Sequence, residues 1–331
     1  MRTDVFLISF LVLVPASAVF SHLFAAWMRR VHLGQLIREY GPKLHEGKSG
    51  TPTMGGTVII TLWGLSLGAL SFFHPIPWKG LFILSSGLIF GAVGLADDLL
   101  SLRRNRSLGL RPWQKILLVS LGAGVLFAAF AGLGNVPFRI PFSSRSVAFP
   151  AGIAFFIYWA VFLGTTNSMN LTDGLDGLAA GATILILVGN LLIVRDRAVF
   201  TTLFPLIPIL IGFLWVNSHP ACLFLGDVGA FALGGVVAGT AIVTGTSFIL
   251  PIFAGLLVLE AGSVILQVAS FKLFGRRIFK ISPLHHHFER AEGVDYGFLL
   301  PNIEWPEEKI VMRLWIVEGL FVALAVLAAV V

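Results

Sequence analysis

The segment NSMNLTDGLDGLAAG, Asn167 to Gly181, sets two carboxylates three residues apart, Asp173 and Asp176, each followed at once by a glycine. Strongly apolar stretches flank it on both sides. An ionised carboxylate at a membrane boundary is costly unless a cation or hydrogen-bond donors meet it. Glycine beside it lets backbone N–H groups approach a ligand closely. Acids, bare backbone and a lipid surface together point to metal-assisted chemistry on a phosphorylated substrate beside the bilayer. Two placements of the pair are open. They share a helix face at i, i+3, or they mark a helix start, with Asp173 as N-cap and Leu175 and Asp176 in the first turn. Capping alone accounts for one aspartate but not for Asn167, Asn170, Thr172 and the second acid.

Three further segments carry similar residue types. In GLADDLLSLRRNRSLGLRPWQK, Asp97 and Asp98 close an apolar span. Neighbours on a helix point about 100° apart, so both cannot face one ligand equally. One is expected to face a cleft and the other to pair with an Arg or Lys of the next loop, because a helix C-terminus disfavours negative charge. The plain alternative is a pair of solvated helix-end acids. In NSHPACLFLGDVGAFALGG, Asp227 stands between Gly226 and Gly229, with Phe224 three residues before it and Asn217 upstream. Gly-Asp-x-Gly alone is also an ordinary turn; with Asn217 and an aromatic it suggests a metal ligand beside a base-stacking ring. GKSGTPTMGG, Gly47 to Gly56, offers Lys48, Thr51 and Thr53 for phosphate contact, although the spacing of a Walker loop is absent.

SPLHHHFE, Ser282 to Glu289, reads as a short helix with Ser282 as N-cap and Pro283 at the first helical position. His285, His286 and His287 then lie in or just after the first turn. Three consecutive histidines cannot all face one metal from a helix, so hydrogen bonding to phosphate or sugar is the better expectation.

These residues need elements to position them, and composition says which. Of 331 residues, 56% are hydrophobic and 12% charged, with a mean hydropathy of +0.90. A soluble domain carries roughly 25% charged residues. Ten spans of about 20 apolar residues are legible: about 5–27, 54–72, 81–96, 116–133, 147–164, 175–194, 199–215, 230–246, 248–271 and 310–331. The fold expected is an all-α polytopic membrane bundle in one domain, 1–331, with the first span a retained helix. With both termini outside, seventeen of the 23 lysines and arginines fall on inside loops, as the positive-inside rule requires. That basic face attracts anionic lipid and nucleotide, and no aromatic-laced basic soluble domain supports nucleic-acid binding. Asp97, Asp98, Asp173, Asp176 and Asp227 all then lie at cytoplasmic span ends. Transporters keep key carboxylates near mid-span, a pattern only Glu260 matches, so position favours surface chemistry over cation-coupled transport. The single Cys222 excludes an intrachain disulfide.

Taken together, GTPTMGG, the Asp97–Asp98 pair, NLTDGLDGLA, FLGDVGA, the stretch from Glu260 to Lys280 and HHHFE resemble the polyprenyl-phosphate N-acetylhexosamine-1-phosphate transferases. TPTMGG and HHHFE point to the branch that handles muramoyl pentapeptides, and against the sister branch that uses UDP-GlcNAc. The resemblance covers about 40–313 and implies transfer of phospho-MurNAc-pentapeptide from UDP to undecaprenyl phosphate, with Mg²⁺ as cofactor. It implies Asp97 as a base with Asp98 as its partner, Asp227 as the magnesium ligand and Phe224 as the ring that stacks on uracil. Asn170, Gly174, Leu175, Asp176 and Asn217 would surround the nucleoside, with Asn167 and Leu171 also substrate-binding. Lys48, Thr53, Asp173, Gln267 and His285 to His287 match other positions of the cleft. A homodimer in the bacterial plasma membrane is also implied. One departure stands out: RAEGVDYGFLLPNIE between Glu289 and Trp305 is longer than the bridge usual in this family.

Overall fold

The computed structural model describes residues 3–31, 50–73, 75–104, 109–130, 136–290, 294 and 296–330. In chain order the elements are α1 (Thr3–Arg30), α2 (Gly56–Ser71), α3 (Trp78–Arg104), α4 (Pro112–Ala129), β1 (Phe138–Arg139), β2 (Ser146–Val147), α5 (Ala151–Thr172), α6 (Leu178–Ile193), α7 (Arg197–Leu203), α8 (Leu206–Asn217), α9 (Gly226–Thr244), α10 (Leu250–Phe253), α11 (Gly255–Phe274), α12 (Leu284–His287) and α13 (Glu307–Val330). Each of the ten apolar stretches lies on helix. Among the described residues, eight helical segments are long and apolar enough to cross a membrane, while α2 and α6 are shorter apolar helices. This is an all-α polytopic membrane protein.

Two of the expected spans are interrupted. The seventh breaks at Pro205, which lacks an N–H and stands at the start of α8. The ninth breaks at Ala254 between α10 and α11. A broken helix frees backbone donors that lipid cannot satisfy. Here the Leu256 N–H donates to Glu318 Oε2 of α13 at 2.8 Å, so a carboxyl buried in the bundle closes the gap.

The hub is α9, buried along its length except at Asp227 and Thr244. It packs against α3 most extensively, and against α5, α2 and α6. Between helices in lipid, close approach through small residues replaces the hydrophobic drive. Gly94 of α3 shows how this positions chemistry: a β-carbon there would overlap the backbone carbonyl of Asp227. The missing side chain lets the start of α9 sit directly on the end of α3.

The acid-bearing ends of α3, α5 and α9 meet at one end of the bundle. At the other, the β1–β2 ribbon is tied down as the Arg139 N–H donates to Gly245 O at 2.8 Å and its guanidinium to Ala329 O at 2.5 Å. Lys79 pairs there with Asp196 at 2.7 Å. Lys79 and the Ala198 N–H hold the Asp196 carboxyl below the usual range, outweighing desolvation, which acts to raise it. Apolar side chains such as Leu11, Leu23, Trp215, Leu320 and Leu327 point outward, as a lipid-facing surface requires.

Two local expectations are corrected. Asp173 and Asp176 share no helix face and start no helix. Asp173 is the C-cap of α5, and Gly177, at φ +81°, is the N-cap of α6, so the pair lies in the turn between them. Ser282 does not cap α12: Pro283 holds the cap position, with no side-chain hydrogen bond, and the helix begins at Leu284.

Candidate active site

Four elements build the acid centre. Asp97 and Asp98 come from α3, Asp227 from the first turn of α9, Asn170 from the end of α5, and Lys115 from the start of α4. Lys115 Nζ stands between two of the acids, 2.5 Å from Asp227 Oδ2 and 3.2 Å from Asp97 Oδ2. Asn170 Nδ2 donates to the other Asp227 oxygen at 2.6 Å. Asp97 Oδ1 also accepts from the Leu110 N–H at 2.6 Å. The side chain of Asp227 is 23% exposed against 9% for Asp97, so Asp227 is the carboxylate that a ligand can reach.

Asp98 has a different task. Its two oxygens accept from the N–H groups of Asp227 at 3.3 Å and Val228 at 3.0 Å. A carboxylate on the first amides of a helix satisfies donors that have no partner within the helix and suits the positive end of its dipole. Gly226, at φ +76°, makes the approach possible; a β-carbon there would crowd Thr53 Oγ1, the Met54 N–H and Asp98 Oδ2. Thr53 is buried beneath this turn with its hydroxyl unbonded. Lys48 lies outside the described residues.

A second group surrounds the acids. Burial pushes the Asp173 carboxyl up to about 8, with the Asp227 charge acting in the same direction and the Gly226 N–H opposing. Asp176 is buried, and its Oδ2 accepts from the Ala221 N–H at 3.0 Å. Asn217 Nδ2 donates to Leu223 O at 2.9 Å, closing the loop that presents Phe224. The Phe224 backbone is held on both sides, its N–H donating to Pro52 O and its carbonyl accepting from the Gly55 N–H. The ring is half-buried. Leu175 faces inward, into a cluster with Leu178, Ile310 and Leu314. Asn167 turns back on its own helix, donating to Leu163 O. Leu171 is half-buried.

The third group forms a wall at the end of α11. Gln267 clamps the chain after α11, accepting from the Ile278 and Phe279 N–H groups and donating to Phe279 O. His285 is fully buried, with Glu260 Oε2 3.1 Å from its Nδ1, and its ring lies where a β-carbon on Gly174 would be. His287 is buried as well, and its Nδ1 accepts from the Lys280 N–H. Only His286 keeps an exposed edge, beside Glu289. Of the three imidazoles expected to hydrogen-bond phosphate or sugar, the structure leaves His286 partly exposed and buries His285 and His287 in the wall behind Gly174. Glu260 is used within this wall, as Glu318, a second buried mid-span acid, is used at the break before α11.

The long segment after Glu289 joins the same wall. Leu299 and Leu300 N–H groups donate to Arg277 and Ile278 carbonyls, and buried Lys280 reaches Glu289 O, Asn302 and Glu304.

With this geometry in place, likeness to known proteins becomes interpretable. Residues 81–245 match Glycosyl transferase family 4, and 48–60 match Phospho-N-acetylmuramoyl-pentapeptide-transferase signature 1. A protein named phospho-N-acetylmuramoyl-pentapeptide-transferase from Caldanaerobacter subterraneus subsp. tengcongensis is 43% identical over 309 residues, covering 91% of this chain and 92% of that protein. The chain belongs to the phospho-N-acetylmuramoyl-pentapeptide-transferase family. Proteins of the same name from Desulforamulus reducens and Thermobifida fusca are 40% and 38% identical, covering 91% and 96% of the chain and 89% and 93% of those proteins. The glycosyl transferase match spans α3 through α9, the stretch that holds the acid centre.

The expectation that one acid of the Asp97–Asp98 pair meets a basic residue of the next loop is met by Asp97 with Lys115, while Asp98 takes the first amides of α9. One neighbour of the acids, His219, has no counterpart among the sequence expectations. His219 carried no signal beyond its place in the Asn217–Asp227 loop. Its Nδ1 lies 3.0 Å from Asp176 Oδ2 and 3.4 Å from Glu307 Oε2.

Proposed function

We propose that this chain transfers phospho-MurNAc-pentapeptide from UDP-MurNAc-pentapeptide to undecaprenyl phosphate, giving lipid I and UMP. The observation that carries the reading is the open carboxylate of Asp227, oriented by Lys115 and Asn170 at the end of a bundle otherwise faced with apolar side chains. The reaction joins two phosphate-bearing anions, so the site must supply positive charge and orientation, which dominate phosphoryl transfer.

Asp97 and Asp227 share one lysine here, and Asp98 beside them is met only by backbone N–H groups. That deficit of positive charge, on hard oxygen ligands, fits a divalent cation of the Mg²⁺ type, which takes one or two carboxylates together with phosphate oxygens. Asp227, with Asp97 beside it, would hold Mg²⁺. When bound, the ion would neutralise charge on the diphosphate.

The remaining work falls to the protein. Lys115 offers an ammonium to the phosphates while Asp97 and Asp227 fix its position. Asp98 holds the peptide of Asp227. Phe224 offers a face for uracil, and the Asp173–Asp176 turn the polar contacts of the nucleoside. The acceptor phosphate, with a second pKa of about 6, is largely dianionic at neutral pH and needs little help from a base. Its oxygen attacks the sugar-linked phosphorus, the phosphoanhydride bond breaks, and UMP leaves with that bond's oxygen. Asp97, already committed to Leu110 and Lys115, acts by positioning.

The basic loops support an acid-bearing face on the cytoplasmic side of a bacterial plasma membrane, with both termini outside. A homodimer is proposed on the family resemblance alone and is read from the detergent-corrected mass. The deciding assay incubates purified protein with undecaprenyl phosphate, Mg²⁺ and either UDP-MurNAc-pentapeptide or UDP-GlcNAc, and measures UMP. Release only with the muramoyl donor, lost on chelation, is expected. Turnover of UDP-GlcNAc alone would overturn the assignment, and turnover unaffected by chelation the cofactor.

A further inference from the structure

We propose that His219 is a positioning residue for nucleotide recognition, fixing the carboxylate of Asp176 by tying its loop to the first turn of α13. The inference rests on the functional reading above, in which the Asp173–Asp176 turn contacts the nucleoside.

The imidazole lies among carboxylates from two separate elements. Nδ1 is 3.0 Å from Asp176 Oδ2 and 3.4 Å from Glu307 Oε2, and Nε2 is 3.6 Å from Glu308 Oε1. A carboxylate only accepts, so Nδ1 donates to Asp176. That contact joins two loops, because the neighbouring Ala221 N–H donates to the same Asp176 oxygen. Glu307 completes the triangle from the third element: its Oε1 accepts from the Asp176 N–H at 2.9 Å. Asp176 is thus gripped at backbone and side chain by groups spread over some 130 positions of the chain.

Such over-determination exceeds what loop closure needs. Asn217, through Leu223 O, already closes the loop without His219. The loop begins at Ser218 and carries Phe224, so one imidazole sets the carboxylate of one loop against the aromatic ring of the other. A carboxylate that must read a flat heterocycle or a sugar hydroxyl is useful only if its oxygens stay put, and fixed first contacts are what preorganisation means. Asp176, His219 and Glu307 also bring one ligand atom each to within 4.8 Å of one another, so a cation in that triangle is the competing explanation.

The test measures UMP binding by calorimetry and donor kinetics in the full-length protein in detergent. His219→Ala should weaken UMP and raise KM for UDP-MurNAc-pentapeptide by about tenfold or more, the loss of roughly one charge-assisted hydrogen bond, while kcat changes by less than about threefold. His219→Asn, whose Nδ2 can take the place of Nδ1, should recover most of the affinity. Unchanged UMP affinity in His219→Ala, with only a lower Tm, would overturn the proposal and leave His219 as a strut. Failure of His219→Asn to recover affinity in a folded protein would overturn it too. UMP binding that is lost with a chelator in Asp227→Asn, and restored by Zn²⁺ or Mn²⁺, would replace it with the cation. A wild-type protein that binds no UMP would remove the functional reading itself, a result distinct from all of these.

Discussion

The ammonium of Lys115 lies 2.5 Å from Oδ2 of Asp227, the more exposed carboxylate of the acid centre. The pair makes the lysine both a placeholder for charge and its complement. Lys115→Met should lower kcat/KM by about 100-fold or more, the usual effect of removing one preorganised charge, yet leave Mn²⁺ affinity at least as high as in the wild type. UMP release and electron paramagnetic resonance of bound Mn²⁺ read the two effects separately. Loss of Mn²⁺ binding would mean that the lysine builds the metal site instead of sharing it.

Asp97 and a general base make different predictions with pH. Its carboxylate accepts from Leu110 and pairs with Lys115, so Asp97→Asn should reduce turnover by a factor that stays constant from pH 6 to pH 9. A defect that shrinks steadily as pH rises would restore the base.

Asp98 and Asp227 should separate stability from turnover. Asp98→Ala strands two buried N–H groups at the start of α9, each worth about 1–3 kcal/mol, and should lower Tm along with activity. Asp227→Asn should abolish transfer while Tm stays close to wild type. The two variants, melted in the same detergent, settle the point; equal melting losses would contradict the division of roles.

Gly174 has no room for a side chain because the His285 ring occupies it. Gly174→Ala should displace either the turn or the histidine and weaken UMP binding by about tenfold, roughly 1.4 kcal/mol. A companion Gly64→Ala, where nothing lies within 4 Å, should leave binding unchanged.

His287 should make the wall sensitive to acid. Desolvation, helped by Lys280 and opposed by the Pro301 carbonyl, holds its pKa below the ordinary 6.5. The unfolded chain therefore takes up the proton first as pH falls, so this contribution is intact above pH 6.5 and is lost through the lowered folded pKa. Thermal melting from pH 7.5 to pH 5 should show Tm falling below pH 6.5, with a shallower slope in His287→Asn. Identical slopes would remove His287 as the cause.

The acids were legible in the sequence because a carboxylate near lipid has few tolerable positions, and five aspartates at span ends leave little but a shared cleft. The helices were legible for a similar reason, since each needs its own run of apolar residues. Breaks at Pro205 and Ala254 were harder, because the compensation for the second comes from Glu318, some sixty positions away. Lys115 was legible only as one of several basic residues after the Asp97–Asp98 pair, and His219 not at all, because pairing across helices leaves no period in the chain. The histidines were legible only as a group, because imidazole suits oxyanions and buried walls equally well, and the fold alone sets which of them are buried.

The seating of α9 on α3 at Gly94 also bears on how the enzyme experiences its solvent. Helices with outward apolar faces, such as α1, must adjust their tilt when the bilayer thickens, thins or bends. The two helices carrying Asp97, Asp98 and Asp227 are locked to each other along their length, so such adjustments pass around them. Reaction geometry is thereby insulated from membrane mechanics, and acyl-chain length should alter how readily the lipid substrate arrives more than how fast it reacts once there.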